Sequence, residues 1–343
     1  MTAPFHLRML VVGLAATVAL LAGCGQGLVP HQQPASGSGC SSMQVKRSNV
    51  TLPVSVTPTP GFSLPSGSQP VGLIVDRDGT SAWLLATGTN EVIHVQPNGG
   101  AISYQLPFSG LGLQLSQAAD GTLWVPEQYR GAVVAIAPDG SVRECKLPGS
   151  GHEVMATSVA SDGAVWISEA ASSGIVRFDK GGFKEFSIPN ANGAEVLAAS
   201  DGGAWFTVDG APFLGRVTAA GEVQTIPVGG SGTCLGMLEM ADGSVWVADF
   251  GGDRVVRVGT DRTLSVVTAR AGAKPQSFAL GPDGSVWVTE SGIDRLGRVR
   301  GAKLDEVVAT GAWPDHMATT SSGWAWFTEY NQDRLGHMLL TAS

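Results

Sequence analysis

Charged residues are few: Asp, Glu, Lys and Arg together make up 15% of the 343 residues, and the net charge is −8. No basic stripe interrupts that balance, so the electrostatic footprint of a nucleic-acid binder is missing and nucleic acid is excluded as a partner. Tyrosine is scarce, at three residues. Beyond the N-terminal two dozen positions, no long segment shows the 3.6-residue apolar period of an amphipathic helix. The four cysteines form no Cys-x-x-Cys pair and no Cys/His spacing that suits zinc or thiol redox chemistry. What abounds is glycine, 47 residues, which suits a chain of many tight turns.

The turns recur at one period. The stretch Gly281-Pro-Asp-Gly-Ser-Val-Trp-Val-Thr-Glu290 reads as a turn at Asp283-Gly284 feeding a strand that carries Trp287. Related phrases place tryptophans at Trp83, Trp124, Trp166, Trp205, Trp246, Trp287 and Trp326, with gaps of 41, 42, 39, 41, 41 and 39 residues. Within the sixth copy, segments 276–280, 285–290, 296–299 and 304–309 are each strand length and separated by Gly, Asp or Pro. Four strands per period of about 40 residues is the pattern of a propeller blade. The fold class is therefore all-β: a seven-bladed β-propeller of four-stranded antiparallel blades over residues 57–343. The seventh copy stops after a third strand, while Phe62-Ser-Leu-Pro65 lies one period before Leu106-Pro107. An N-terminal strand is expected to complete the last blade and cover its edge.

Residues 1–23 combine Arg8 with an apolar run, Met9 to Leu21, too short to span a bilayer comfortably. Leu21-Ala22-Gly23-Cys24 resembles the lipobox of bacterial lipoproteins, which implies a cleaved signal peptide and lipidation of Cys24. Residues 24–56, rich in Gly, Ser, Gln and Pro, read as a flexible tether. The expectation is a monomer anchored on the outer side of the cell membrane, in the cell envelope. Cys40, Cys145 and Cys234 then allow one intrachain disulfide and one free thiol, with the pairing left open.

In an up-and-down blade, the start of the first strand and the end of the second share one end of the sheet. The second strands end on Ala86, Glu127, Glu169, Val208, Asp249, Glu290 and Glu329. Five carboxylates in such a ring suit a divalent cation, with Glu290 and Glu329 as metal candidates. They equally suit pairing with an arginine of the following hairpin, such as Arg254, Arg295 or Arg334. The first strands begin with Val71, Leu113, Met155, Ala194, Leu235, Gln276 and Asp315, followed in the last blade by His316. The polar members gather in blades six and seven. His316, Asp315 and Glu329 are the catalytic candidates, since imidazole titrates near neutrality. Strand alternation alone points Asp315 and His316 to opposite sides.

Gly281–Glu290 with Leu296-Gly-Arg-Val299, and Trp326-Phe-Thr-Glu329 with Arg334-Leu-Gly336, resemble the virginiamycin B lyase (streptogramin B lyase) family over about residues 57–343. The resemblance implies a seven-bladed propeller that opens a cyclic depsipeptide by elimination, uses Mg2+, and places its site at the channel mouth of the last blades. The family sets a histidine after the proline opening an inner strand; here Gln276 follows Pro275 and Asp315 follows Pro314. A family glutamate is replaced by Trp313. Gln276 and Trp313 are on this basis candidates for contacting a ligand. The glutamates ending the second strands are kept.

Two functions follow. One is a lyase-like enzyme using Glu290 and Glu329, with His316 or Asp315 as base, on a small-molecule or peptide substrate. The other is a non-catalytic ligand- or protein-binding module of the cell envelope. A sugar-lactone hydrolase or quinoprotein propeller has no specific residue in its favour. A His316 within hydrogen-bond reach of Glu329 would favour the enzyme, and a mouth filled by Trp313 would favour the module.

Overall fold

The computed structural model describes residues 39–57, 59–171, 174–188, 192–230 and 232–340. The expected signal peptide at 1–23, the expected lipidation at Cys24 and the first part of the expected tether lie outside the described residues. Seven antiparallel sheets follow one another along the chain. In blade six the strands are Pro275–Leu280, Val286–Glu290, Arg295–Arg300 and Lys303–Ala309, within a residue or so of the spacing-based positions. The first strand of each blade packs beside that of the next, and blade seven returns to blade one. The ring is closed, with its innermost strands around a central channel.

The repeated residues build this ring. Gly284 of the Asp-Gly turn has φ of 76°, a left-handed conformation that a side chain disfavours. Asp283 fixes the same turn by accepting the Ser285 N–H at 3.1 Å. Trp166, Trp287 and Trp326 are fully buried, and Trp287 packs with Met317 and Phe327 of the next blade. Across the sheet from the tryptophan stands Arg177, Arg216, Arg257 or Arg298 in blades three to six. Each of these guanidiniums pairs with the aspartate of its own Asp-Gly turn. Blade seven has Ser322 in place of that aspartate, and its cross-strand residue is His337, stacked on Trp326 at 3.8 Å between ring centroids.

The N-terminal segment does complete blade seven: Gly61–Ser63 pairs with Arg334–Leu339, and Val54–Ser55 pairs outside it. The segment does more than that. Within the region assigned to a tether, Lys46–Thr51 is a fifth strand on blade one and Cys40–Met43 a fifth strand on blade two. Their side chains are mostly exposed. Backbone ladders and a Cys40–Cys145 disulfide hold them, with little apolar burial, which is why composition alone reads them as unstructured. Cys234 remains a buried thiol.

Candidate functional site

The site is created by a bulge at the start of the inner strand, present in blades one and three to seven. In blade seven, Pro314 faces Glu329 while Met317 faces Phe327, so three steps on one strand match two on its partner. The extra residue breaks the alternation that would separate Asp315 from His316. Instead the two side chains meet: His316 Nδ1 lies 2.5 Å from Asp315 Oδ1. The bulge frees the His316 N–H from the ladder, and the Thr328 hydroxyl accepts it at 3.0 Å.

Blade six joins the same network. Gln276 Nε2 donates to Asp315 Oδ2 at 2.8 Å. The Ser291 hydroxyl, on a short 3-10 turn after the second strand, lies 2.6 Å from the Pro314 carbonyl and 3.0 Å from Gln276 Oε1. Gln276, Asp315 and His316 are buried. On the channel side, His316 Nε2 faces Glu195 Oε1 of blade four at 3.9 Å. Blades four and seven lie across the ring from one another, so the pair spans the channel. Burial alone would lower the His316 pKa; the Asp315 hydrogen bond, its charge and that of Glu195 outweigh burial and raise it.

Sequence reasoning brought Gln276, Asp315 and His316 together but missed Glu195 and Ser291. The blade-to-blade pattern that yields Gln276 and Asp315 lies in the first residue of each bulge. The residue that follows this position in each blade, Gly72, Gln114, Ala156, Glu195, Gly236, Ser277 or His316, carries the missing signal.

The carboxylates ending the second strands stand apart from this network. Glu127 pairs with Arg130 at 3.0 Å, Glu169 with His152 at 2.7 Å, and Asp249 with Arg254 at 2.7 Å. Glu329 is bound by the Arg334 guanidinium and accepts the Gly311 N–H at 2.7 Å and the Thr59 hydroxyl at 3.5 Å. Its pKa is raised because burial outweighs these partners. Glu290 Oε2 lies over Gly297, where an added Cβ would come within 2.7 Å. Glu290 and Glu329 thus belong to different blades' internal contacts, and a guanidinium already holds Glu329. An Mg2+ ion at this pair would have to compete with the Arg334 guanidinium for Glu329.

Trp313 directly precedes the first strand of blade seven, Pro314–Thr319. Its backbone is left-handed, with φ of 63°, and its N–H donates to Asp294 Oδ1 at 2.8 Å. The half-buried ring lies 6.4 Å from the Phe250 ring, and the Lys274 ammonium lies 5.5 Å from the indole and 5.4 Å from Phe250. The indole also packs against the apolar cluster containing Val71, Leu111 and Leu115 of blades one and two. Trp313 thus touches both Phe250 of blade five and the apolar cluster of blades one and two.

Comparison with known proteins agrees with this architecture. A family model described as the virginiamycin B lyase family matches residues 56–234 and 196–343. A virginiamycin B lyase of Nocardia farcinica (strain IFM 10152) is 31% identical over 166 residues, 48% of this chain; the match spans 57% of that relative's length. A catalytically inactive virginiamycin B lyase from Staphylococcus aureus, solved with quinupristin, superposes with a TM-score of 0.74 at 20% identity, covering 87% of this chain and all of that one. A streptogramin B lyase structure gives a TM-score of 0.75 at 20% identity, over 82% and 97% of the two chains. At that identity the structures speak for the fold alone.

Proposed function

Because the chain belongs to the virginiamycin B lyase family, we propose that it is a propeller of that lineage, anchored by lipid at Cys24 on the outer side of the cell membrane, that binds a small-molecule or peptide ligand at the mouth between blades five and seven. The observation that carries the binding reading is the half-buried Trp313 ring, set beside the Phe250 ring and the Lys274 ammonium. An aromatic face beside an ammonium suits a ligand with a flat ring and a carbonyl or anionic group. The Cys40–Cys145 bridge supports an oxidising compartment.

The elimination chemistry of the relatives is the second reading, and the Asp315–His316 pair favours it. A carboxylate on Nδ1 orients the imidazole and leaves Nε2 to accept a proton. In that reading His316 takes the hydrogen α to a carbonyl, a carbon–carbon double bond forms, and the lactone C–O bond breaks to leave a carboxylate. Against it stand the neutral Gln276 and the acceptor Asp315 at the two family histidine positions.

One experiment separates the readings. Purified protein is titrated with a panel of cyclic peptides and lactones, including a streptogramin B, while mass spectrometry follows ring opening in the presence of Mg2+. Quenching of tryptophan fluorescence with intact rings supports binding, and ring opening supports the lyase. Neither change across the panel would sink both.

A further inference from the structure

Three separate features place the Lys274 side chain. Its backbone is left-handed, with φ of 50°, a conformation that long side chains rarely adopt. Asp253 holds it there, accepting the Lys274 N–H at 2.9 Å and the Gly272 N–H at 2.7 Å. The stem then crosses Gly292, where an added Cβ would come within 3.1 Å of Lys274 Cγ and Cδ. The ammonium ends 5.4 Å from the Phe250 ring and 5.5 Å from the Trp313 ring. Trp313 is presented in the same way, by a left-handed backbone tied to Asp294. Glycine is the residue such a conformation favours, so these two side chains are kept at a backbone cost.

The ammonium is held without being neutralised. Among the described residues no carboxylate forms an ion pair with it, and the Asp253 and Asp294 carboxylates accept the backbone N–H groups of Gly272, Lys274 and Trp313. Contacts this near the roughly 6 Å limit of a cation–π attraction leave most of the charge available to another partner. A cation already fixed in position also spares a ligand much of the ordering cost of binding.

We propose that the Phe250–Lys274–Trp313 site takes aromatic carboxylates, with the carboxylate on the Lys274 ammonium and the ring against the Trp313 indole. This rests on the ligand reading above and names the chemical class that the site selects. An amine would have to displace Lys274 from both rings and would meet a like charge, so the site rejects cations that bare aromatic faces would attract. An aliphatic acid keeps the charge contact and loses the offset stacking on the indole. Lys274 is thereby the specificity-determining residue and Trp313 the platform.

The test titrates untagged protein at fixed ionic strength with benzoate, benzamide, cyclohexanecarboxylate and benzyltrimethylammonium, following each by ligand-observed NMR. Benzoate should bind about ten-fold more tightly than the neutral benzamide, as a charge-assisted hydrogen bond requires, and more tightly than the other two. Lys274→Met keeps an apolar stem over Gly292 and should lower benzoate to the affinity of benzamide while leaving benzamide unchanged. Lys274→Arg should retain the preference. Equal binding of benzoate and benzamide by the unaltered protein, tighter binding of the ammonium compound, a preference that survives Lys274→Met, or no binding of any probe overturns the proposal. If a cyclic peptide or lactone binds in any of those cases, the ligand reading stands and only the anionic class is lost.

Discussion

The Thr328 hydroxyl accepts the backbone N–H of His316 at 3.0 Å. The same contact recurs between Thr289 and the Ser277 N–H at 2.9 Å, and between Thr207 and the Glu195 N–H at 3.2 Å. Each threonine lies two residues after its blade's tryptophan, so one repeated phrase supplies both the packed ring and the group that stabilises the bulge. Replacing Thr328 by valine keeps the shape but leaves a buried N–H without an acceptor, a cost of about 1–3 kcal/mol. Urea unfolding monitored by tryptophan fluorescence measures it. Threonine-to-serine should retain most of the stability, and a valine variant as stable as the parent would refute the role.

Glu329 tests whether the carboxylate ring is structural. Arg334 is 5% exposed and its guanidinium reaches both the Glu329 carboxylate and the Thr59 carbonyl. Glu329→Gln would leave that charge buried beside a neutral amide. Breaking such a pair typically costs about 3–5 kcal/mol, so the midpoint of unfolding should fall sharply while any ligand affinity of the folded fraction persists. Unchanged stability with lost ligand binding would return Glu329 to the site.

The blade count, the strand positions and the strand that completes blade seven were legible because a period of 39 to 42 residues repeats the same turn and ring. The pairing of strand-end carboxylates with the next hairpin's arginine was legible in part, at Asp249–Arg254 and Glu329–Arg334. The contact between Asp315 and His316 was not, because alternation governs regular strands and the bulge suspends it. Glu195 was hidden for a related reason: it meets His316 only across a closed ring, and no spacing along the chain expresses that. The fifth strands on blades one and two lack an apolar face, so their order comes from ladders and a disulfide that composition does not reveal.

His337 provides a pH handle. Burial among Trp326, Trp324 and Phe62 pushes its pKa from 6.5 down to about 4. The unfolded chain therefore binds the proton more readily than the fold does. The stability tied to neutral His337 is full above about pH 6.5 and is lost as pH falls toward 4. After allowance for partial exposure, the loss is on the order of 1–2 kcal/mol. His316, whose pKa is raised, acts in the opposite sense: its contribution is full below 6.5 and is lost as pH rises. His337→Phe keeps an aromatic stack and removes the titration. Its melting temperature should decline less between pH 6.5 and 4 than the parent's, and parallel curves would refute the assignment.

The Cys40–Cys145 bridge joins directly opposed residues of an added edge strand and the outer strand of blade two, across a separation of 105 residues. An edge strand with exposed side chains has little burial to hold it, so the covalent link should matter more here than within a blade. In the chain-entropy account, closing a loop of about 100 residues stabilises by about 4.7 kcal/mol, and native disulfides commonly contribute about 2–5 kcal/mol. Cys145→Ser should lower the unfolding midpoint accordingly, and hydrogen exchange in Cys40–Thr51 should rise before exchange in blades three to six changes. A reductant should produce the same shift in the unaltered protein and none in the variant, because Cys234 is buried with its thiol pushed up to about 12 by burial and by Asp249. Equal exchange at residues 40–51 with and without the bridge would mean that the ladders alone hold the strap.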